Sequence, residues 1–541
     1  MKYRRMQNRN ARLEKRMVRS AFPNAGQQRK TSMRPHLFIV TVAVFVIGLL
    51  QGCAGLAPRQ KAALPGRPPQ AEQLLAELDA VVAQAGVQDA SSFKVPGFPY
   101  LRTNRFLAAM KERLVGDEQK TLWVKEMYRL DSEARKKEIQ NLPNETLSDL
   151  SSKPGGIPDR ESLLVRTSTA AAQLFEYDRI QPVFFETLRG AVAVPEEYST
   201  SMRVFGLYPI AAIPITIGTK IAYNKFRKWH QSPITDLTVE GRLMTFAAEG
   251  GGTSGGGKPA HLFTAARRNA FGLPDLNHAD IMALVRSYAP VIIQDVVAGY
   301  DRFGEAVWND TTVAIDQRRP VIYYYITTSF IRQIPVLQIN YTLWYSERSG
   351  EKTPSYEKGP LDGLTLRISL DRNGQPVMAD IMNNCGCYHF YAPPKERVDK
   401  IVSSSDGLYP FVPVWLPPDY PDKPLTLRVN SGWHQVEHLY ASEAPADAAI
   451  YRLIPYDRLE ALPRADGSYA SVFTAAGIMK NSTRIEPYIF FSVGIHDIGY
   501  MRQRNHHAVK MIGRAHFTDP DIFDGKFVFN PAEQNRSGAA W

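Results

Sequence analysis

The segment from residue 33 to residue 53 constrains this chain most, because it determines where the rest of the chain folds. Met33–His36 is a short basic start, Leu37–Leu50 is an uncharged apolar run, and an LQGC sequence at residues 50–53 ends it. A basic start, an apolar core and a small-residue end are typical of an export signal. The apolar run has 14 residues, fewer than the roughly 20 that a membrane-spanning helix needs. We therefore predict that the segment is cleaved.

The LQGC sequence resembles the lipobox of bacterial lipoproteins. The resemblance implies cleavage before Cys53, lipidation of that cysteine and a mature protein held at the lipid bilayer, facing the periplasm. Ala54 rather than Asp follows the cysteine, and in enteric lipoproteins this implies the outer membrane. Residues 1–52 comprise a basic leader and this signal. Because the signal is complete from Met33 onward, we expect Met33 to be the true start, with a translated basic leader as the alternative.

The net charge of the chain comes almost entirely from its first 52 residues. The whole chain has 65 Lys and Arg and 54 Asp and Glu, a net charge of +11. Residues 1–52 hold eleven of those bases and one acid, which leaves 54 bases against 53 acids in residues 53–541. Nucleic-acid binding requires clustered positive charge. The nearly neutral remainder predicts that nucleic acid is not a partner.

Changes in composition divide the rest of the chain. Helical periodicity dominates its first half, as at Glu161–Tyr177, and β-branched and aromatic runs dominate its second half. We predict an α+β fold, in which a mostly helical N-terminal region is followed by a larger antiparallel β-rich region. The predicted regions are a lipidated flexible tether at 53–92 that ends with a short helix through Leu74–Ala85, a mainly helical region at 93–249, a glycine-rich linker at 250–258 and a β-rich region at 259–541.

Strands and hairpins are predicted from apolar runs and turn residues. Pro320–Ile331 and Pro335–Glu347 are rich in aromatic and β-branched residues. Residues 364–381 predict a hairpin that turns at Asn373-Gly374, and residues 425–440 predict a second hairpin, with a strand over Trp433–Tyr440. Tyr488–Val493 predicts a further strand.

Val204–Thr219 is a separate apolar segment of 16 uncharged residues between Arg203 and Lys220. Pro209 and Pro214 interrupt it, and it is too short to span a bilayer. We predict a buried core segment, with contact to a membrane surface as the alternative.

Two cysteines predict a site in the β-rich region. Lipidation of Cys53 would leave only Cys385 and Cys387, in a CGCYH sequence that ends at His389. On a strand, residues two apart share one face and lie about 7 Å apart. Thiolate and imidazole ligands suit zinc or copper. Three interpretations stay open: a metal site, a Cys385–Cys387 disulfide, and inert buried thiols.

An HxxEH sequence at residues 434–438 is the second candidate. It resembles the inverzincin metallopeptidases, which implies zinc binding by His434 and His438 and a catalytic role for Glu437. That chemistry needs a helix, whereas the surrounding sequence predicts a hairpin strand. We therefore expect His434 or His438 to join Cys385, Cys387 and His389 in one metal site. The glutamates that could supply a third peptidase ligand are Glu443, Glu460 and Glu486, and further candidate histidines are His496, His506 and His507.

Three runs, at 338–345, 361–367 and 385–389, resemble an uncharacterised group of Gram-negative exported proteins. That resemblance implies no activity. The leading functional prediction is a membrane-anchored periplasmic lipoprotein with a Cys/His metal or redox site. The alternative is a non-enzymatic envelope or interaction protein with a structural CxC, and a metal-dependent hydrolase that uses HxxEH is third.

Overall fold

The computed structural model describes Leu64 and residues 66–152, 159–250, 260–403 and 410–530. The predicted leader, the signal peptide and Cys53 lie outside the described residues, as does the predicted glycine-rich linker except for Gly250.

Most helices of the described residues lie in the first part of the chain, and two short ones follow in the second part. They are α1 (Pro69–Ala85), α2 (Arg105–Met110), α3 (Gly116–Gln140), α4 (Asn144–Ser152), α5 (Arg160–Arg179), α6 (Phe184–Ala191), α7 (Thr200–Phe205), α8 (Tyr208–Gln231), α9 (Ala260–Ala265), α10 (His278–Ser287), α11 (Asp457–Glu460) and α12 (Glu486–Ile489).

The helix predicted at 161–177 is confirmed as α5. Asp159 caps it by accepting a hydrogen bond from the Ser162 N–H at 2.7 Å. The short helix predicted at Leu74–Ala85 is confirmed as part of α1, and it belongs to the folded core, where Leu75 and Val82 are fully buried. Arg67, just before α1, pairs with the buried carboxylate of Asp178 on α5. The folded part therefore includes residues that the sequence assigned to the tether.

Most strands of the described residues lie in the second part of the chain, after two short ones in the first part. They are β1 (Phe93–Val95), β2 (Phe98–Thr103), β3 (Arg242–Ala248), β4 (Val291–Val296), β5 (Glu305–Asn309), β6 (Thr312–Asp316), β7 (Val321–Ile331), β8 (Ile334–Arg348), β9 (Gly359–Leu370), β10 (Pro376–Asn383), β11 (Phe390–Ala392), β12 (Val398–Ile401), β13 (Leu425–Val429), β14 (Val436–Ala441), β15 (Ala449–Pro455), β16 (Leu462–Pro463), β17 (Tyr469–Ala470) and β18 (Phe527–Phe529).

One sheet of ten strands forms the centre, in the order β11-β10-β9-β8-β7-β15-β3-β4-β13-β14. The run from β7 to β11 is antiparallel, as predicted. The sheet as a whole is mixed, because β15 pairs in parallel with β3 and β7, and β13 pairs in parallel with β4. The predicted α+β class is confirmed.

The predicted hairpins are only partly correct. Strands β9 and β10 form the hairpin around Asn373-Gly374. Strands β13 and β14 form the second hairpin, but β14 begins at Val436, so His434 lies in the turn and not on a strand. The strand predicted at Tyr488–Val493 is wrong, since the chain there forms α12 and a 3-10 turn. Pro487 in the first turn of α12 supplies the backbone angle that suits a helix start.

The prediction that Val204–Thr219 is buried is wrong. The segment forms α7 and the first half of α8, and Ile210, Ile213 and Ile217 are 67%, 63% and 56% exposed. Pro209 lies in the first turn of α8, where its missing N–H costs nothing, so a helix can start there. Within the described ranges, no helix is both long and apolar enough to cross a bilayer.

The sheet curls until its two edges approach each other. Trp433, in the β13–β14 turn, lies 5.7 Å from Tyr388, in the β10–β11 turn, between ring centroids. The second half of α8 fills the remaining gap: Phe226 contacts both of these rings, at 5.6 and 5.2 Å. His230, one turn later, lies 5.2 Å from Phe390 of β11 and 6.4 Å from His438 of β14, again between centroids. Helix α8 therefore bridges the two edges.

Candidate functional site

A cavity of about 510 Å³ lies beneath the first half of α8. Its lining is mainly apolar and comes from α8, from residues 489–498 around the end of α12, and from residues 508–512. The polar wall comes from the β10–β11 turn and two glutamates, and its members are Cys385, Cys387, Tyr388, His389, Glu357 and Glu486. The predicted CGCYH sequence therefore lines this cavity.

The CGCYH residues form a tight turn and not the predicted strand. The Gly386 N–H donates to the Asn383 carbonyl at 2.7 Å, and the Asn383 N–H donates to the Cys387 carbonyl at 3.0 Å. Gly386 has φ of +91°, and a Cβ there would lie 2.3 Å from the Ala508 carbonyl oxygen. Only glycine combines this backbone angle with so close an approach. The turn brings Cys385 and Cys387 onto one wall of the cavity.

The two thiols are unbonded neighbours. The Cys387 N–H donates to the Cys385 sulfur at 3.4 Å. The Cys387 thiol and the positive charge of Arg348 lower the pKa of Cys385 to about 7, against the effect of burial. The hydrogen bond to Cys385, together with burial, holds the pKa of Cys387 well above its ordinary value. Near neutral pH, Cys385 is therefore partly ionised, and Cys387 stays a thiol that donates to it.

Arg348, at the end of β8, joins the thiol pair to a buried charge network. It donates to both carboxylate oxygens of Asp362, at 3.0 and 2.8 Å, and to Glu357 at 2.7 Å. Glu357 also accepts hydrogen bonds from the Tyr388 hydroxyl at 2.5 Å and the Trp433 indole at 2.8 Å. The buried charges are thus paired and hydrogen-bonded, as burial of charge requires.

Glu486, at the start of α12, is the acid on the cavity wall whose pKa departs most from the ordinary range. Burial raises the pKa of Glu486 to about 9, with further contributions from Cys385 and Glu357. Its carboxyl group is therefore neutral at pH 7 and can donate a proton. The sequence offered Glu486 only as one of three glutamates for a peptidase site, and nothing in its neighbours indicated a place beside the cysteines.

His389 lines the same cavity as the thiols, and Asp380 holds its ring by a hydrogen bond. Its Nε2 is 2.7 Å from Asp380 Oδ2, and Asp380 is also paired with Arg367. Burial outweighs this carboxylate and lowers the pKa of His389, so the ring is neutral at pH 7. Asp380 fixes the ring orientation and leaves only Nδ1 for another partner.

The HxxEH residues do not join the cysteines. His434 is fully buried, with Nδ1 2.7 Å from Asp362 and Nε2 3.3 Å from Asp301, and its ring stacks on Tyr345 at 3.9 Å. His438 lies on β14, near His230. Glu437 accepts a hydrogen bond from Asn430 at 3.2 Å. The helix that an inverzincin site needs is absent at these residues, because Val436–Ala441 is a strand.

The remaining candidate histidines lie elsewhere. His506 contacts Glu197 and the Ala90 carbonyl, His507 is buried near Phe517, and His496 is exposed. Across the described ranges, no group of three or more His, Cys, Asp or Glu side chains is arranged to hold a metal ion. The five predicted metal ligands therefore fall into three separate environments: the thiol pair with His389, the buried His434, and His438 at the sheet edge.

No protein-family model, curated protein or solved structure matches this chain. The resemblance to bacterial lipoproteins and the resemblance to an uncharacterised exported group stay predictions.

Proposed function

We propose that this chain is a lipid-anchored, periplasm-facing envelope protein whose Cys385–Cys387 pair is a thiol redox centre. The observation that carries the proposal is the placement of two adjacent free thiols on the wall of an apolar cavity, with Arg348 stabilising the Cys385 thiolate. A thiolate with a pKa near the ambient pH is the form that attacks a disulfide.

The reaction class is thiol–disulfide exchange. The Cys385 thiolate attacks one sulfur of a disulfide RS–SR′, the S–S bond breaks, and R′S⁻ leaves and takes up a proton. Cys387 then loses its proton and attacks the Cys385 sulfur, which displaces RS⁻. The products are a Cys385–Cys387 disulfide and two thiols, so two electrons pass to the co-reactant. Neutral Glu486 is the nearby group that can supply a proton to the first leaving thiolate.

The surroundings of the histidines favour redox chemistry over the predicted zinc or copper site. His434 has Asp362 and Asp301 at its two ring nitrogens, so no nitrogen of His434 is left for an ion beside the thiols, and His389 keeps only Nδ1 for another partner. The thiols have each other, the nearby charge of Arg348 and the cavity. A non-enzymatic, structural CxC accounts less well for a thiolate held beside a buried arginine and open to a cavity.

Alkylation kinetics test the thiol centre. The rate of Cys385 alkylation by iodoacetamide, followed by mass spectrometry, should rise with pH through about 7 in the wild type. Cys387→Ser keeps a hydroxyl donor and should leave Cys385 alkylation fast, whereas Cys387→Ala should slow it at pH 7. Titration in glutathione buffers should show one disulfide forming between the two residues. Equal, slow alkylation of both thiols at pH 7, or one equivalent of bound zinc or copper in the purified protein, would contradict the proposal.

A separate experiment tests the anchor. Mass spectrometry of the membrane fraction should find an acylated peptide that starts at Cys53, and Cys53→Ser should remove the lipid label. An unchanged label after this substitution would refute the lipoprotein assignment and leave the thiol chemistry standing.

A further inference from the structure

We propose that α7, α8 and the α12 segment dock on an anionic lipid bilayer, and that the cavity beneath α8 takes up a hydrocarbon chain from that bilayer. This inference deepens the proposed function, because it names a membrane-borne apolar molecule as the class of ligand that reaches the thiols. The docking itself does not depend on thiol chemistry.

The docking surface, here called the apolar face, is defined by its exposed large apolar side chains. On α8, spacings of three and four residues place Ile210, Ile213, Ile217 and Ile221 along one side of the helix. Each member is more than 40% exposed, and Tyr488 is 84% exposed. The members are Val204, Phe205, Leu207, Ile210, Ile213, Ile217 and Ile221, with Ile485, Tyr488, Ile489 and Phe491 beside them. Large contiguous apolar areas on a protein surface mark a binding site for a partner or a membrane.

The charges next to the apolar face identify the partner. No acidic residue occurs between Glu197 and Asp236, whereas the second half of α8 carries the exposed cations Lys220, Lys225, Arg227 and Lys228. A helix with an apolar face and only Lys and Arg as charges is the type that lies flat in a membrane interface. Each such cation near an anionic surface contributes attraction. The face therefore matches an anionic bilayer.

A second copy of the chain fits the apolar face less well. In a symmetric dimer, the same surface of each copy contacts the other. The two surfaces brought together would then both carry the cations of α8, and α8 would supply no acidic residue to pair with them. Repulsion between like charges opposes that arrangement, whereas anionic headgroups relieve it.

The cavity is continuous with the apolar face. Helix α8 directs Ile210, Ile213 and Ile217 outward, and it directs Ala211, Ile215, Gly218 and Ala222 into the cavity. Ile489 belongs to both surfaces, because it is half exposed and also lines the cavity. The small residues Ala211, Gly218 and Ala222 leave room between the helix and the CGCYH turn. An acyl or isoprenoid chain entering beside Ile489 would meet apolar walls before it reached Cys385.

The cavity volume suits such a ligand. At about 510 Å³, it falls within the range of about 300–1,000 Å³ found for small-molecule sites. The thiols and two glutamates form one wall of the cavity, where a reactive group at the end of an apolar chain would be bound.

Photolabelling of the lipidated full-length protein in vesicles tests the proposal. The vesicles contain a lipid with a diazirine in its acyl chain, in phosphatidylcholine with or without phosphatidylglycerol. Irradiation should label the tryptic peptides 204–220 and 485–502, and more strongly with phosphatidylglycerol present. A chain inside the cavity should also label 505–510 or 511–514, which line it. The peptide 161–166 is the internal control, because its Val165 is also apolar and 59% exposed.

Matched variants sharpen the test. Ile217→Glu places a charge on the apolar face, and Val165→Glu places one on α5 at equal exposure. Losing the burial of one isoleucine should reduce labelling of 485–502 roughly tenfold in Ile217→Glu, with no change in Val165→Glu. The Cys385→Ser/Cys387→Ser variant should keep the full labelling pattern, which separates failure of docking from failure of the thiol chemistry. Labelling of 204–220 no stronger than 161–166, or crosslinks joining 204–220 of two copies, would overturn the proposal.

Discussion

Arg348→Met should be among the most destabilising single substitutions in this protein. The Arg348 side chain is 3% exposed, and it donates to both Asp362 and Glu357, which are 0% and 3% exposed. The substitution keeps much of the side-chain volume but leaves buried Glu357 without this cation and leaves Asp362 paired only with His434. Breaking a buried pair by removing one partner costs about 3–5 kcal/mol. Since Glu357 loses Arg348 and Asp362 keeps only His434, we expect a loss of about 4 kcal/mol in the free energy of unfolding.

Urea denaturation followed by tryptophan fluorescence measures this loss. The matched control is Arg129→Met, because Arg129 pairs with Glu126 and Glu133 on the exposed side of α3, where such pairs contribute about 0–1 kcal/mol. Arg348→Lys keeps the charge but cannot donate to both carboxylates in the same geometry, and should fall between the two. If Arg348→Met proves too unstable to purify, the free energies of unfolding of Arg348→Lys and Arg129→Lys are compared instead. An Arg348 variant as stable as its Arg129 control would refute the network as a source of stability.

Two further substitutions test the site and its surroundings. Gly386→Ala should destabilise the fold by about 2 kcal/mol and disturb the thiol pair, because a methyl group would collide with the Ala508 carbonyl. Gly467→Ala is the control, because Gly467 has φ of +80° and nothing within 4 Å, so this variant has the backbone strain without the collision. Equal urea midpoints for the two variants would contradict this account. For His434, burial favours the neutral ring, but the carboxylates of Asp301 and Asp362 outweigh it and raise the pKa of His434. The charged form of His434 therefore stabilises the fold. This contribution is fully present at pH values below the unfolded pKa of about 6.5, and it is lost as pH rises through the higher folded pKa. The stability difference between wild type and His434→Gln should thus be greatest at about pH 6 and shrink at alkaline pH, and a difference independent of pH in urea titrations would contradict it.

Local sequence patterns predicted the elements that depend on local physics. The alternating aromatic and β-branched residues of β7 and β8, and the Asn373-Gly374 turn between β9 and β10, were predictable because burial and turn geometry act over a few residues. The turn before His434 was harder to place. Asp301 holds it by accepting hydrogen bonds from Ser431 and the Gly432 N–H, and no local pattern links residues so far apart in the chain.

The candidate site was predicted in part. Cys385, Cys387 and His389 were identified from their rarity and spacing, and the structure places them together at the cavity. The expected approach of His434 or His438 assumed neighbouring strands, whereas Asp301 and Asp362 hold His434 in the β13–β14 turn and His438 lies near His230 of α8. Arg348 and Glu357 carry no sequence signal of their own. Similarly, the apolar composition of Val204–Thr219 could not indicate that its outer side lacks a protein neighbour.

The bridge that α8 forms between the two sheet edges bears on how the protein avoids aggregation. An open edge strand presents unpaired backbone groups that can recruit strands from other molecules. Here β11 has three residues and β14 has six, and His230 of α8 lies against Phe390 on one edge and His438 on the other. The helix thus lies against both edge strands at once. Variants that unfold α8 should expose both edges together and form fibrils or amorphous deposits under conditions in which the wild type stays dispersed.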